Sequence, residues 1–391
     1  MQYDFETPIN RSKMASAKWE KMKECNPSVS EDIFPFSVAD ADLPLAPEIK
    51  EGLKDYIDQT VLGYTIVSPD YLRAVKEWNK TKHHFELDTD WILTTPGVVP
   101  ALHLAVRAYT EPGDSVVIMT PIYPPFYNAV TSQDRHLLEV PLLKEGTHYS
   151  IDFEQLEKTV SDPKVTLLLF CSPHNPVGRV WTKEELTRVA EICIANGVKI
   201  VSDEIHYDLV MPGHEHTVFA AINDTVAEHV VVCTSASKTF NIAGLQTAAV
   251  IIPNEYMRER FFTEMDRIGY HGANMIGLKA TELAYTKGSD WLDGFKDLIA
   301  HNAEVLQQFV TKNLPKATAF PLEGTYLQWI DLRPYTDPEA LEDTLTHKGN
   351  LFFNEGYHFG ESGKGYERIN LACPTALLVK ALDRLAEVFN R

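Results

Sequence analysis

Five short apolar runs, separated by stretches with helical patterns, constrain the fold of this chain more than any other feature of its sequence. Strands that are apolar along their whole length are typical of a largely parallel sheet covered by helices on both faces. Between the second and third runs, Thr182 and Glu185 form a capping-box pattern and Asn196-Gly197 marks a helix end. We therefore predict an α/β layer over residues 46–280. The apolar runs are 115–119, 165–170, 198–202, 230–234 and 248–252.

The last third of the chain has a different pattern, in which helices and short strands alternate without long apolar runs. We predict a smaller α+β domain here, of about 100 residues, an ordinary domain size. With the N-terminal segment, the division is a large domain at 46–280 and a small domain made of 1–45 and 281–391. The predicted elements are a helix at 289–313, a strand at 324–330, a helix at 338–347, strands near Leu351 and Arg368, and a helix after Pro374.

Charge and composition argue against several classes of protein. The 391 residues include 36 Lys and Arg against 55 Asp and Glu, a formal net charge of −19. Such a charge repels nucleic acid and anionic membranes, so we expect neither as a partner. No apolar stretch approaches the ~18 residues of a membrane span, and the acidic first residues do not resemble a secretory signal. Five scattered cysteines without a C-x-x-C pair favour a reducing, cytoplasmic location.

Polar residues follow three of the predicted strands, at the edge where ligands bind in open parallel sheets. Ser235 and Ser237 offer hydroxyls for a phosphate, and the amine of Lys238 is a candidate for covalent attachment to a carbonyl. The carboxylate of Asp203 could pair with a protonated ring nitrogen, and the amide of Asn175 could donate to a phenolate or carboxylate. Taken singly, each residue also has an ordinary structural explanation: Lys238 could be a solvated loop residue, Asp203 could cap a turn, and Asn175 could simply lie in a turn.

Two further segments suit a flat anionic ligand. Gly97 opens a helix predicted to reach Ala108, and the amides that follow it would form an anion site. Tyr123 follows the first apolar run and could stack on a heterocycle. His206, three residues after Asp203, either contacts a ring oxygen or is an ordinary loop histidine. Four other histidines lack the spacing of a helical metal-ligand pair, and we interpret them as solvated loop residues, with no metal: His83, His84, His214 and His216.

The order of these segments is more specific than any one of them. A phosphate cup, a stacking aromatic residue, an amide, a carboxylate and a lysine follow one another along the chain. This ordered set resembles the fold type I enzymes that use pyridoxal 5′-phosphate (PLP), the aspartate aminotransferase superfamily. The resemblance covers essentially the whole chain. It implies the α/β, PLP-dependent transferase fold type I, with a mostly parallel seven-stranded sheet in the large domain and a smaller α+β domain.

Four motifs, at 38–44, 203–206, 235–246 and 324–327, are similar to the MalY/PatB group of PLP-dependent C–S β-lyases. His206 stands where many aminotransferases have a tyrosine, and Gln246 where many have a phosphate-binding arginine. The group usually reads Trp-Val-Ala-Asp-Met-Asp-Phe near the N-terminus, and here Ser37, Ala41 and Leu43 replace its bulky residues. If that segment lines the substrate entrance, we expect a wider or differently selective pocket.

The resemblance assigns a role to each candidate residue. It implies that Lys238 binds PLP and then removes the substrate Cα proton, while Asp203 keeps the ring nitrogen protonated. Arg368 matches the arginine that binds the substrate α-carboxylate, and Tyr64 matches a tyrosine that reaches the neighbouring subunit's site in a homodimer. The remaining implied contacts are Gly97, Val98, Val99, Ser235 and Ser237 at the phosphate, Tyr123 on the ring as a further catalytic residue, Asn175 and His206 near the ring oxygen, and Asn175 and Asp40 near the substrate.

The MalY/PatB resemblance implies α,β-elimination from L-cystathionine or a related cysteine S-conjugate, giving a thiol (homocysteine from cystathionine), pyruvate and ammonia. The same cofactor supports transamination, so an aminotransferase is an alternative. A second alternative is a PLP-binding regulatory protein that acts through protein contacts. A dinucleotide-dependent oxidoreductase is disfavoured, because no G-x-G-x-x-G motif follows an early strand.

Overall fold

The five apolar runs form the interior of a seven-stranded sheet in the computed structural model, which describes residues 3–390. The strand order is β1-β9-β8-β7-β6-β2-β3, in which β9 alone runs antiparallel to its neighbours. The prediction of a mostly parallel seven-stranded sheet is therefore confirmed. The strands are β1 (Ile92–Thr95), β2 (Ser115–Thr120), β3 (His136–Pro141), β4 (Leu143–Glu145), β5 (His148–Ser150), β6 (Val165–Cys171), β7 (Lys199–Asp203), β8 (Val230–Thr234), β9 (Ala248–Ile251), β10 (Thr318–Ala319), β11 (Leu327–Asp331), β12 (Asn354–Glu355) and β13 (Tyr366–Asn370).

Helices cover both faces of this sheet, and several begin at signals visible in the sequence. The predicted capping box is present: Thr182 Oγ1 accepts from the Glu185 amide, and the Glu185 carboxylate accepts from the Thr182 amide. The α-helices are α1 (Ala17–Cys25), α2 (Pro47–Gln59), α3 (Pro69–His83), α4 (Val98–Tyr109), α5 (Pro125–Thr131), α6 (Phe153–Val160), α7 (Lys183–Ala195), α8 (Asp224–Ala227), α9 (Ala236–Thr239), α10 (Glu255–Arg267), α11 (Met275–Lys287), α12 (Ser289–Asn313), α13 (Leu341–Asp343) and α14 (Thr375–Phe389). Short 3₁₀ helices lie at Thr89–Trp91, Phe219–Ala221, Ala243–Leu245, Pro338–Ala340, Gly356–Phe359 and Glu361–Gly363, and a π-helical turn at Thr344–Lys348.

Alternate residues of each central strand enter two separate apolar clusters. Val117 and Leu168 belong to one cluster, whereas Ile118 and Leu169 belong to the other, and all four side chains are fully buried. This alternation follows from the two-residue period of a strand. The sheet is thus buried on both faces, so its polar groups and ligands are confined to the ends of the strands.

A four-stranded antiparallel sheet, in the order β10-β11-β13-β12, forms the core of the C-terminal third with α12 and α14. The helix predicted at 338–347 is divided into 3₁₀, α and π turns. The strand predicted near Leu351 begins only at Asn354, because Leu351 and Phe353 pack into the apolar cluster of α12 and α14 instead of pairing with β13. The seven-stranded sheet lies within 92–251, the four-stranded sheet within 318–370, and β4 and β5 form a separate two-stranded sheet; the division at residues 46 and 280 stays a prediction. Within residues 3–390, no helix has the length and apolar character required to cross a membrane.

Candidate active site

A cavity of about 230 Å³ lies at the carboxyl ends of β6 and β7, where parallel sheets place their ligands. Cys171 and Asp203, the last residues of these two strands, both line it. The fold therefore brings most of the sequence-predicted residues to one place. The predicted residues that line the cavity are Gly97, Val98, Val99, Tyr123, Asn175, Asp203, His206, Ser237 and Lys238.

One end of the cavity is formed by the start of helix α4. Gly97 has φ +120° and ψ 167°, a conformation that is essentially restricted to glycine. Among the residues that the structure describes, no side chain caps this helix, and the amides of Val98 and Val99 belong to the first turn, where amides lack intrahelical acceptors. With the hydroxyl of Ser237 on the same cavity, these groups form an anion-binding end.

Lys238 brings an amine with an unusual proton affinity to the cavity. Its Nζ donates to the carbonyl of Ala39 at 2.7 Å. Burial lowers the pKa of Lys238 to about 8, with the nearby carboxylates of Asp40 and Asp203 opposing this shift. About a tenth of this amine is uncharged at pH 7, far more than for an ordinary lysine, and the uncharged form is the one that attacks a carbonyl carbon or accepts a proton.

Asp203 and His206 are both buried beside Lys238. Burial raises the pKa of Asp203 to about 7, although its Oδ1 accepts a hydrogen bond from the Ile205 amide at 3.1 Å. A cationic ring N–H next to this carboxylate would favour its charged form. Burial and the charge of Lys238 hold the pKa of His206 well below its usual range, so its imidazole is neutral. The ring lies edge-on to Tyr326, with the centroids 5.8 Å apart.

Arg368 is a buried cation without a buried anion. Its Nη1 donates to Asn175 Oδ1 at 2.8 Å and its Nη2 donates to Asn354 Oδ1 at 2.7 Å, while its Nε has no hydrogen-bond partner. Among residues 3–390, no carboxylate lies within ion-pair distance of it. Burial lowers the pKa of Arg368 to about 10. A charged guanidinium held in this way is suited to bind a carboxylate that comes from outside the chain.

Four of the predicted site residues lie outside the cavity lining, namely Arg368, described above, and Asp40, Ser235 and Tyr64. The carboxylate of Asp40 forms ion pairs with Arg11 at 2.9 Å and Lys18 at 3.0 Å. Ser235 is buried, and its Oγ lies 2.7 Å from the Ser237 hydroxyl, which does line the cavity. The side chain of Tyr64 is fully exposed in the single chain. These positions leave Asp40 and Ser235 as supports of the site, and Tyr64 available to another molecule.

Sequence reasoning missed several groups that hold the site together. The carbonyl of Ala39 accepts hydrogen bonds from Lys238 Nζ and, at 2.8 Å, from the hydroxyl of Tyr326. Asn354 lies opposite Arg368 in the β12–β13 register and orients its guanidinium. Tyr326 lies in the motif at 324–327, which we used only to recognise the family. Its place in that motif could have marked Tyr326 as a residue of the site. The residues that depart from the group pattern near the N-terminus are buried and lie outside the cavity lining: Ser37, Ala41 and Leu43.

The interpretation of four histidines as solvated loop residues is wrong for two of them. His83 Nε2 lies 2.7 Å from Asp208 Oδ1, and His216 Nε2 lies 2.8 Å from Glu204 Oε2. Buried carboxylates thus draw both imidazoles into the interior, where they line a second cavity of about 470 Å³; the other two histidines are exposed. In the part of the chain that the structure describes, no three His, Cys, Asp or Glu side chains are arranged to hold a metal ion.

The residues around the candidate cavity fit PLP. The α4 amides and Ser237 suit its phosphate, Asp203 suits its ring nitrogen, and Tyr123 offers an aromatic face for its ring. The amine of Lys238 suits its aldehyde carbon. The φ of +120° at Gly97 allows the backbone to approach the phosphate at a point where a side chain would strain the chain.

Comparisons with known proteins identify relatives of this chain, including one whose structure contains PLP. The family model "Aminotransferase class I and II" matches residues 31–385. Cystathionine beta-lyase PatB of Bacillus subtilis (strain 168) is 40% identical over 383 residues, and protein MalY of Escherichia coli (strain K12) is 31% identical over 386; each alignment covers 98% of both chains. The crystal structure of cystalysin from Treponema denticola, which contains PLP, superimposes with a TM-score of 0.97 at 46% identity and covers 100% of this chain and 99% of its own. The predicted PLP-dependent fold type I is confirmed, and this chain belongs to the class I and II aminotransferase family, in the group that includes PatB and MalY.

Proposed function

We propose that this protein is a PLP-dependent C–S β-lyase that cleaves L-cystathionine or a related cysteine S-conjugate to a thiol, pyruvate and ammonia. The observation that carries the proposal is its similarity, over 98% of both chains, to the cystathionine beta-lyase PatB. The cavity supports it independently, because it combines a reactive amine with a buried carboxylate, and Arg368 bonds to Asn175 in its lining.

PLP, when bound, supplies an electron-accepting ring that stabilises the negative charge developing at the substrate Cα. Asp203 would hold the ring nitrogen protonated. The positive charge on that nitrogen would in turn favour the charged form of the Asp203 carboxylate, which burial disfavours. Tyr123 would pack on the ring, with Asn175 and His206 near the ring oxygen. The phosphate would be bound by the amides of Gly97, Val98 and Val99 and the hydroxyl of Ser237, which Ser235 orients.

Substrate binding depends on Arg368, whose planar fork would bind the amino acid's α-carboxylate while Asn175 and Asn354 hold its orientation. Lys238, as the free amine, takes the Cα proton. The Cα–H and Cβ–S bonds break, and the sulfur leaves with the bonding pair and gains a proton. Water supplies the oxygen of pyruvate, and the amino group leaves as ammonia.

We further propose that the protein is a homodimer in which Tyr64 reaches the neighbouring active site. The support is an exposed apolar segment: the exposed fractions of Val61, Leu62 and Ile66 are 84%, 70% and 85%, and Tyr64 is fully exposed. A run of large apolar side chains in water is typical of an interaction surface.

We also infer a cytoplasmic location, because all five cysteines are free and four of them are buried.

The test is to mix the purified protein with PLP and L-cystathionine, and to record the absorbance spectrum and the pyruvate released. We expect a band near ~420 nm, from PLP attached to lysine, and steady pyruvate formation. Lys238→Ala should abolish both. Lys54→Ala, which removes an exposed lysine paired with Glu51, should change neither.

Other outcomes would identify the alternatives. Stoichiometric amino transfer to a 2-oxo acid without pyruvate would show an aminotransferase. A protein-binding activity that survives Lys238→Ala, with no turnover in the wild type, would show a regulatory protein. The absence of any PLP band would overturn the assignment of the cavity.

A further inference from the structure

The buried carboxylate of Asp208 contacts helix α9, the helix that carries Lys238, and has no role in the site described so far. The side chain of Asp208 is 1% exposed and lies outside the lining of the candidate active site. Its Oδ1 accepts from Trp78 Nε1 at 2.9 Å and lies 2.7 Å from His83 Nε2. Its Oδ2 accepts from Thr239 Oγ1 at 2.7 Å. Thr239 directly follows Lys238, so this network ends one residue from the reactive amine.

Helix α9, which carries Lys238, is too short to fix its own orientation. It has four residues, and an isolated single turn is unstable because nucleation is costly. Side-chain contacts therefore hold it. At its start, Ser235 Oγ bonds to a backbone carbonyl, and beyond its end Asn241 pairs with the backbone of Ala41 at 2.9 Å in both directions. On the C-terminal side of Lys238, the adjacent residue Thr239 makes the contact to Asp208.

Asp208 is itself rigidly placed. Trp78 and His83 reach it from helix α3, and the ring of His83 stacks on Tyr207 with the centroids 3.9 Å apart. Asp208 also lies five positions after Asp203, in the segment that leaves β7. One short segment thus carries both the carboxylate proposed for the ring nitrogen and the anchor of the lysine helix.

We propose that Asp208, acting through Thr239, is a positioning residue that fixes the direction in which Lys238 presents its amine to the cavity. The inference rests on the proposed PLP chemistry of Lys238. Loss of the anchor would let α9 rotate or shift, and a displacement of about 1 Å at a reacting group lowers rates by about a hundredfold. Attachment of PLP and proton transfer at the substrate Cα would therefore both slow down. The affinity of Arg368 for the substrate carboxylate would stay the same.

The experiment compares Thr239→Val with Thr239→Ser and with the wild type. Covalent PLP attachment to apoprotein is trapped with borohydride at timed intervals and quantified at Lys238 by mass spectrometry, and kcat and KM are measured on the loaded enzyme. We expect Thr239→Val to slow attachment and lower kcat by about tenfold or more, with KM nearly unchanged. Thr239→Ser keeps the hydroxyl and should restore both. Thr375→Val is the matched control, since it removes a hydroxyl that donates to Asn302 at 2.7 Å in the C-terminal part of the fold.

Each outcome decides the proposal. Equal attachment rates and kcat in Thr239→Val and the wild type would overturn it, as would an equal loss in Thr239→Ser or in Thr375→Val. If Thr239→Val does not fold, Thr239→Ala replaces it: it also removes the hydroxyl that donates to Asp208, and the same slow attachment is expected. A wild-type protein that never attaches PLP at Lys238 would instead overturn the proposed function, which is a distinguishable result.

Discussion

At the scale of single residues, the proton affinity of Lys238 makes a pH-dependent prediction. Burial lowers the pKa of Lys238 to about 8, and only the uncharged amine attacks the PLP aldehyde. The attachment rate should therefore rise roughly fivefold from pH 7 to 8 and level off above about pH 9, because the amine is then almost fully deprotonated. The measurement is borohydride trapping of apoprotein and PLP across a pH series. A rate that still rises tenfold per pH unit at pH 9 would indicate an ordinary lysine.

The unpaired charge of Arg368 gives a second residue-scale prediction. Arg368→Ala removes a buried, bidentate partner for the substrate carboxylate, and a hydrogen bond to a charged group contributes about 1.5–3 kcal/mol. We expect the KM for L-cystathionine to rise by about tenfold to a hundredfold, while PLP affinity is retained. Arg368→Lys should recover little, since an ammonium lacks the planar fork. Arg73→Lys, at a side chain with an exposed fraction of 67%, is the control, and an unchanged KM in Arg368→Ala would contradict the assignment.

The predictability of these residues follows from the kind of contact each makes. Asp203 ends a buried strand and Lys238 and Asn175 each lie four residues after one, so position along the chain was enough to bring them to the cavity. Asn354 reaches Arg368 through the β12–β13 register, which local sequence does not specify. The carbonyl of Ala39 is a backbone group, and no residue type marks where such a group will accept a hydrogen bond.

At the scale of elements, the start of helix α4 links a backbone conformation to cofactor binding. Gly97→Ala places a side chain at φ +120°, which costs about 1–3 kcal/mol and displaces the amides proposed to bind phosphate. We expect PLP affinity, measured by equilibrium titration of apoprotein, to fall by about tenfold or more. Gly113→Ala is the matched control: it has φ +91° in a surface turn, with no atom near the added carbon. Equal affinity in the two variants would show that α4 does not bind the phosphate.

How well each strand could be predicted from the sequence depends on how completely it is buried. Strands β2, β6, β7, β8 and β9 are central, and their continuous apolar runs identified them within about one residue at each end. Strands β1 and β3 lie at the two edges of the sheet and were not recognised. Two of the four residues of β1 are threonines, and most side chains of β3 are exposed or half-buried, so neither has the apolar signature of the interior. Edge strands are specified by the partner that they pair with more than by their own composition.

At the scale of the whole molecule, the segment around Tyr64 determines whether one chain contains a complete active site. The cavity of the single chain holds the amine, the carboxylate and the groups proposed for phosphate, but Tyr64 lies outside its lining. Its exposed apolar neighbours favour a contact with a second copy, as in the C₂ dimers that dominate soluble assemblies. In such a dimer each site would combine Lys238 of one protomer with Tyr64 of the other.

If each active site is shared between two subunits, mixing two inactive variants should restore β-lyase activity. Lys238→Ala and Tyr64→Ala should each have little β-lyase activity as homodimers. In a heterodimer, the site that uses Lys238 of the Tyr64→Ala chain receives the intact Tyr64 of the Lys238→Ala chain. Random exchange of subunits makes half of the dimers mixed, with one working site in each, so pyruvate formation should recover to about a quarter of the wild-type rate. Lys238→Ala mixed with Asp203→Asn is the control, since both changes affect the same chain's site and every combination lacks one group. No recovery in the first mixture would show that Tyr64 does not act in the neighbouring site.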